Sequence, residues 1–178
     1  MKLYLLRHAD ADPGADDALR PISAKGQTQL RDLGRQLAAS GIDLPREWYH
    51  SDLRRARETG LLLNSHMQGH FILREKSGLR PEDPIPPLLP FLESSPRDLL
   101  LIGHNPLFAQ LLAHLLTGDP YAGIAKFGKA HLYCLEYGTM ILPVHGAVRR
   151  WSLRWILTPR LCRREKAPVK PATKTGKG

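Results

Sequence analysis

Apolar residues come in short runs and helical stripes along this chain, and their order sketches a layered fold. The run Lys2–Leu6 reads as a first strand. A loop rich in Asp, Ala, Pro and Gly follows over residues 9–22. Ser23 then stands as the N-cap of a helix reaching about Ser40, with Leu30, Leu33, Leu37 and Ala38 on one face and Gly41 as its C-cap residue. Glu47 to Ser51 reads as a short strand and residues 53–65 as a helix. His70 to Arg74 is a weaker strand. Residues 77–87 carry four prolines and form an irregular loop, and Leu88 to Ser94 a short helix.

The clearest later unit is the apolar run Leu99-Leu100-Leu101-Ile102, suited to a buried parallel strand, with a helix over Asn105 to Leu116. His131 to Tyr137 and Val148 to Leu157 read as two closing strands. Strands that alternate with helices predict an α/β fold, a mostly parallel sheet with helices on both faces. No internal repeat is visible.

A chain of 178 residues suits one domain with a good core. No apolar run approaches a membrane span. The first strand starts at once, with no signal-peptide pattern, so the expected compartment is the cytoplasm. Cys134 and Cys162 make neither a disulfide framework nor a zinc spacing. His66 and His70 are four apart, but Gly69 interrupts their helix and no third ligand is near, so no metal site is expected.

Charge is divided sharply. Residues 1–148 hold 16 Lys and Arg against 16 Asp and Glu. Residues 149–178 hold 10 basic residues and one acid, Glu165, and so carry the whole net charge of +9. From Thr158 the apolar pattern stops. We therefore expect a folded domain over 1–157 and a basic, disordered tail over 158–178. Clustered Lys and Arg could meet nucleic acid or an anionic membrane. Interleaved aromatic residues are absent from the tail, which favours a solvated segment with no dedicated partner.

The chemistry gathers where strands end. Arg7-His8 follows the first strand, and ligands of open α/β sheets bind at the C-terminal strand ends. A guanidinium grips phosphate oxygens, and a neutral imidazole can attack phosphorus and carry the phosphoryl group. Three further elements join this pair: Leu19-Arg20-Pro21-Ile22-Ser23, Ser51-Asp52-Leu53-Arg54-Arg55-Ala56-Arg57-Glu58-Thr59, and Ile102-Gly103-His104-Asn105-Pro106.

In combination and order, these elements resemble the histidine phosphatase superfamily, which includes the phosphoglycerate mutases. The short length and the Arg-Pro-Ile-Ser element resemble its compact SixA-type branch of phosphohistidine phosphatases. The resemblance implies a phosphoglycerate mutase-like fold without a large cap over the site. It makes His8 the nucleophile, with Arg7, Arg55 and His104 completing a core of two arginines and two histidines. Arg20 would lie beside the phosphate. Such a pocket needs no metal or other cofactor, because its cations balance the phosphoryl charge. Asp10 and Asp17 either orient these arginines or are ordinary surface residues. Ser51 either caps the next helix or touches phosphate.

One departure bears on the substrate. Many members of the superfamily carry a leaving-group acid where this chain has Gly78, in Gly78-Leu79-Arg80-Pro81. Glu75, Glu82 and Asp83 are near but out of register. A phosphomonoester leaves as an alkoxide and needs a positioned acid, whereas an imidazole leaving group can take its proton from solvent. The expected activity is removal of phosphate from phosphohistidine on a protein, such as a signalling or phosphotransfer protein. A small-molecule phosphatase or a phospho-ligand-binding protein are the alternatives.

Overall fold

The computed structural model describes residues 1–144 and 146–163. A six-stranded mixed sheet forms its centre. The strands are β1 (Lys2–Arg7), β2 (Glu47–His50), β3 (Ile72–Glu75), β4 (Leu99–Gly103), β5 (Leu132–Leu142) and β6 (Gly146–Leu157), in the order β3-β2-β4-β1-β5-β6. The first four in that order are parallel, and β5 and β6 close the sheet antiparallel. The helices are α1 (Ala24–Ser40), α2 (Arg54–His66), α3 (Leu89–Glu93), α4 (Leu107–Thr117) and α5 (Pro159–Cys162).

Alternation along the strands divides the core. Tyr4, Leu6, Leu100, Ile102, Leu132 and Cys134 face one side, with residues of α1, α2 and α5. Leu3, Leu5, Leu99, Leu101, Tyr133 and Leu135 face the other, with residues of α3 and α4. This is the three-layer α/β arrangement that the pattern predicts, and no large inserted cap is present among the described residues.

The caps of α1 form as expected. The Ser23 hydroxyl accepts the Gly26 N–H, and Gly41 takes the left-handed conformation at φ 65°. Glycine is required at Gly34 for another reason: an added Cβ would lie 2.7 Å from the Cβ of His66, where α1 and α2 pack closely.

Two boundaries move. The closing strands form a longer hairpin than the pattern shows, because residues 138–142 pair only with β6. They extend past the start of β1, where Lys2 aligns with Glu136, and residues 138–141 lack the alternating burial that makes a strand legible. The packed body also runs past residue 157: the Thr158 hydroxyl caps α5, and Cys162 is buried in the core with α1 residues. Residues 164–178, read as part of the basic tail, lie outside the described residues. Among the described residues, no helix is long and apolar enough to cross a membrane.

Candidate active site

Adjacent parallel strands bring the polar residues together. β2, β4 and β1 are neighbours, so the segments leaving their C-terminal ends converge. These segments carry Ser51, His104 and His8. The Ser51 N–H donates to the Ile102 carbonyl at 3.1 Å, and the His8 N–H to the Gly103 carbonyl at 2.9 Å. The strand-end loops are thus tied directly to one another.

The two imidazoles face each other with centroids 4.9 Å apart. His8 Nδ1 lies 2.7 Å from the Ala9 carbonyl. A carbonyl only accepts, so Nδ1 carries the proton and Nε2 keeps its lone pair. Burial pushes the His8 pKa down to about 3, and the positive charges of Arg55, Arg7 and Lys129 add to the effect. His104 is lowered to about 2, by burial first and then by His8 and Arg55. Both rings are therefore neutral near pH 7.

The arginines are held from outside the cluster. Arg7 donates from a terminal nitrogen to the Phe127 carbonyl at 2.8 Å. Asn105 Nδ2 donates to the same carbonyl at 2.9 Å. Arg55, in the first turn of α2 and 4 % exposed, donates to the Asp17 carbonyl at 2.7 Å and pairs with its carboxylate at 3.0 Å. The same carboxylate accepts from Arg20 at 2.9 Å. Asp17 therefore joins Arg20 to Arg55. Arg20 also donates to the Asp12 carbonyl at 2.8 Å.

Asp10 does something else. Its carboxylate takes Lys129 at 2.6 Å and the Ser23 hydroxyl at 2.8 Å. Ser51 is not the cap of α2, because Leu53 holds that position. Its hydroxyl instead lies 2.5 Å from His104 Nε2. Two buried nitrogens in the cluster, Arg7 Nε and His104 Nδ1, have no protein partner among the described residues. Leaving such groups unmet costs about 1–3 kcal/mol each, which makes them natural contacts for an incoming oxyanion.

Thr59 is a supporting residue whose role the sequence does not reveal. It is fully buried, accepts the Ala9 N–H at 3.0 Å and donates to the Arg55 carbonyl at 2.7 Å. It thereby couples the loop after His8 to the helix carrying Arg55. Its place in the Arg-Ala-x-x-Thr element is the available signal. Glu58 does similar work, accepting the Ile22 N–H at 2.8 Å and pairing with Arg54 at 2.6 Å.

The carboxylates around the cluster are ionised. Hydrogen bonding to Arg20 holds Asp17 below the usual range, and hydrogen bonding to Arg80 does the same for Asp52. For Asp10, burial pulls upward, but Lys129 and Ser23 outweigh it. Gly78 has φ +84°, a conformation that strains any other residue. The Asp83 carboxylate is engaged with the Arg80 N–H at 2.7 Å.

Residues 3–80 match the family model described as histidine phosphatase superfamily, branch 1. Over this stretch the chain is similar to the histidine phosphatase superfamily. That match includes Arg7, His8, Arg20 and Arg55, while His104 is joined to them by the geometry above. A search of curated proteins finds no match. Among solved structures, the protein histidine phosphatase SixA complexed with tungstate is similar, with TM-score 0.74 and 21% identity over 92% of this chain and 100% of that one. A protein provisionally described as the phosphohistidine phosphatase SixA of Agrobacterium tumefaciens has TM-score 0.70 and 21% identity over 89% and 97% of the chains. A mycobacterial glucosyl-3-phosphoglycerate phosphatase has TM-score 0.60 and 21% identity over 86% and 96%. At these identities the likeness supports the fold, and the chemistry has to be argued from the side chains.

Proposed function

We propose that this chain is a phosphatase that removes phosphate from phosphohistidine on a protein, through a covalent intermediate at His8. The observation that carries the reading is the neutral His8 ring, with Nδ1 tied to the Ala9 carbonyl, set among Arg7, Arg55 and His104. The Nε2 lone pair attacks phosphorus in line, and the P–N bond to the substrate imidazole breaks. That imidazole takes its proton from solvent. Arg7 and Arg55 balance the charge on the equatorial oxygens, and His104 donates a further hydrogen bond. Water then attacks the phosphorus of phospho-His8, and inorganic phosphate leaves. The positive side chains supply the charge balance in this scheme, with no metal or other cofactor assigned a step.

The choice of leaving group follows from the carboxylates. Asp10, Asp17 and Asp52 are all held ionised, and an ionised carboxylate cannot protonate an alkoxide. With Gly78 at the usual acid position, an N-linked phosphoryl group suits the site better than a stable ester. Arg20, joined to Arg55 through Asp17, stands as a second-rank phosphate contact in this scheme.

The test is a single-turnover reaction with a histidine-phosphotransfer protein carrying labelled phosphohistidine. Label should pass to the wild-type chain and then appear as phosphate, and His8→Asn should do neither. If His8→Asn still releases phosphate at the wild-type rate, covalent catalysis at His8 is wrong. Faster turnover of simple phosphomonoesters than of the phosphoprotein would favour the small-molecule reading.

A further inference from the structure

A second feature lies beside the nucleophile, and its outer cations have no part in the chemistry above. A groove of about 510 Å³ runs between the start of α1, the segment Lys129–His131 and α5. Lys25, Lys129, Arg160 and Arg163 line it, with Asp32 as its one acid. Asp32 is mostly covered and sits 3.6 Å from Arg31. Among the described residues, Lys25, Arg160 and Arg163 have no carboxylate within ion-pair distance, and all three are exposed.

The groove shares its wall with the active-site loop. Lys129 pairs with Asp10, two residues after His8, and Gln29 of the groove accepts the Asp10 N–H at 2.9 Å. The His131 carbonyl accepts the Arg7 N–H at 3.2 Å. The groove therefore adjoins the segment that carries Arg7 and His8.

We propose that this groove is the docking surface for an acidic protein substrate, receiving Asp and Glu side chains that surround its phosphohistidine. The inference rests on the phosphohistidine-protein reading. A carboxylate-rich protein fits better than nucleic acid, because the lining offers cations without Trp, Tyr or Phe platforms on which bases stack. Single exposed ion pairs contribute little, but a cluster of one sign steers encounter and sets the partner's orientation. Its effect belongs in KM and in salt dependence, with kcat unchanged.

The experiment uses the full chain, Lys25→Glu/Arg160→Glu, and two substrates: a histidine-phosphotransfer protein with an acidic face around its phosphohistidine, and free phosphoramidate. At low salt the double variant should raise KM for the phosphoprotein roughly tenfold or more, and the gap should close as salt rises. Phosphoramidate hydrolysis should stay at the wild-type rate. Equal losses on both substrates would mean that the charges act through the His8 loop, and would overturn the docking role. An unchanged, salt-insensitive KM for a phosphoprotein that the wild type does turn over would overturn it too. If the wild type does not turn over the phosphoprotein at all but hydrolyses phosphoramidate, the parent reading falls, and the groove proposal with it.

Discussion

Keeping His8 and His104 neutral should make the fold depend on pH. Burial lowers the two rings to about 3 and about 2. In the unfolded chain each titrates near 6.5. Between those values the unfolded state binds protons that the folded state refuses, so stability falls as pH drops below about 6.5. At about pH 5.5 each histidine favours unfolding by RT ln(1 + 10), or about 1.4 kcal/mol, and at about pH 8 by almost nothing. The pair together costs about 3 kcal/mol over that interval, a large part of the stability of a domain this size. The assay is urea unfolding of wild type and His8→Asn/His104→Asn at both pH values. Every other titrating group is common to the two proteins, so the difference between their pH losses isolates the pair. Wild type should lose about 3 kcal/mol more than the double variant, with the singles between. Equal losses would mean that the folded protein protonates these rings freely, and the neutral-nucleophile argument would fail.

Asp17→Asn should make inorganic phosphate a better competitive inhibitor by roughly fivefold, since it removes a carboxylate that holds the Arg55 fork at 3.0 Å; a weaker inhibition would instead make Asp17 a positioning residue for Arg55. Thr59→Val leaves the buried Ala9 N–H unmet, so chemical denaturation should report a loss of about 1–3 kcal/mol, together with slower phosphoryl transfer to His8. Gly26→Ala would place a Cβ 2.1 Å from the Asp10 carbonyl oxygen. Thermal unfolding should show a loss of about 1–3 kcal/mol, because that neighbour is backbone and has to move.

The parts of the site that could be read from the chain are those that local order fixes. A buried run ends at Arg7-His8, another at Gly103-His104, and in a parallel sheet such ends share one edge. Arg55 was legible through the pattern around it, though Arg54 and Arg57 are close rivals. The long closing hairpin was half legible, because its outer residues alternate no burial.

What stayed hidden are contacts made by loops across large sequence distances. The Phe127 carbonyl that holds Arg7 and Asn105 is a backbone group, which any residue could supply. Lys129 meets Asp10 across 119 positions, and Asp17 meets Arg55 across 38. Ser51 has two readings open in the sequence because a hydroxyl before a helix can cap that helix or reach a phosphate. Strand order gives the hydroxyl a different partner: β4 inserts between β2 and β1, and this places His104 next to Ser51. The same insertion sets His104 beside His8. One topological choice, a later strand entering between two earlier ones, therefore assembles the neutral imidazole pair, and the tertiary position of β4 is part of the chemistry in the same sense as the histidines it carries.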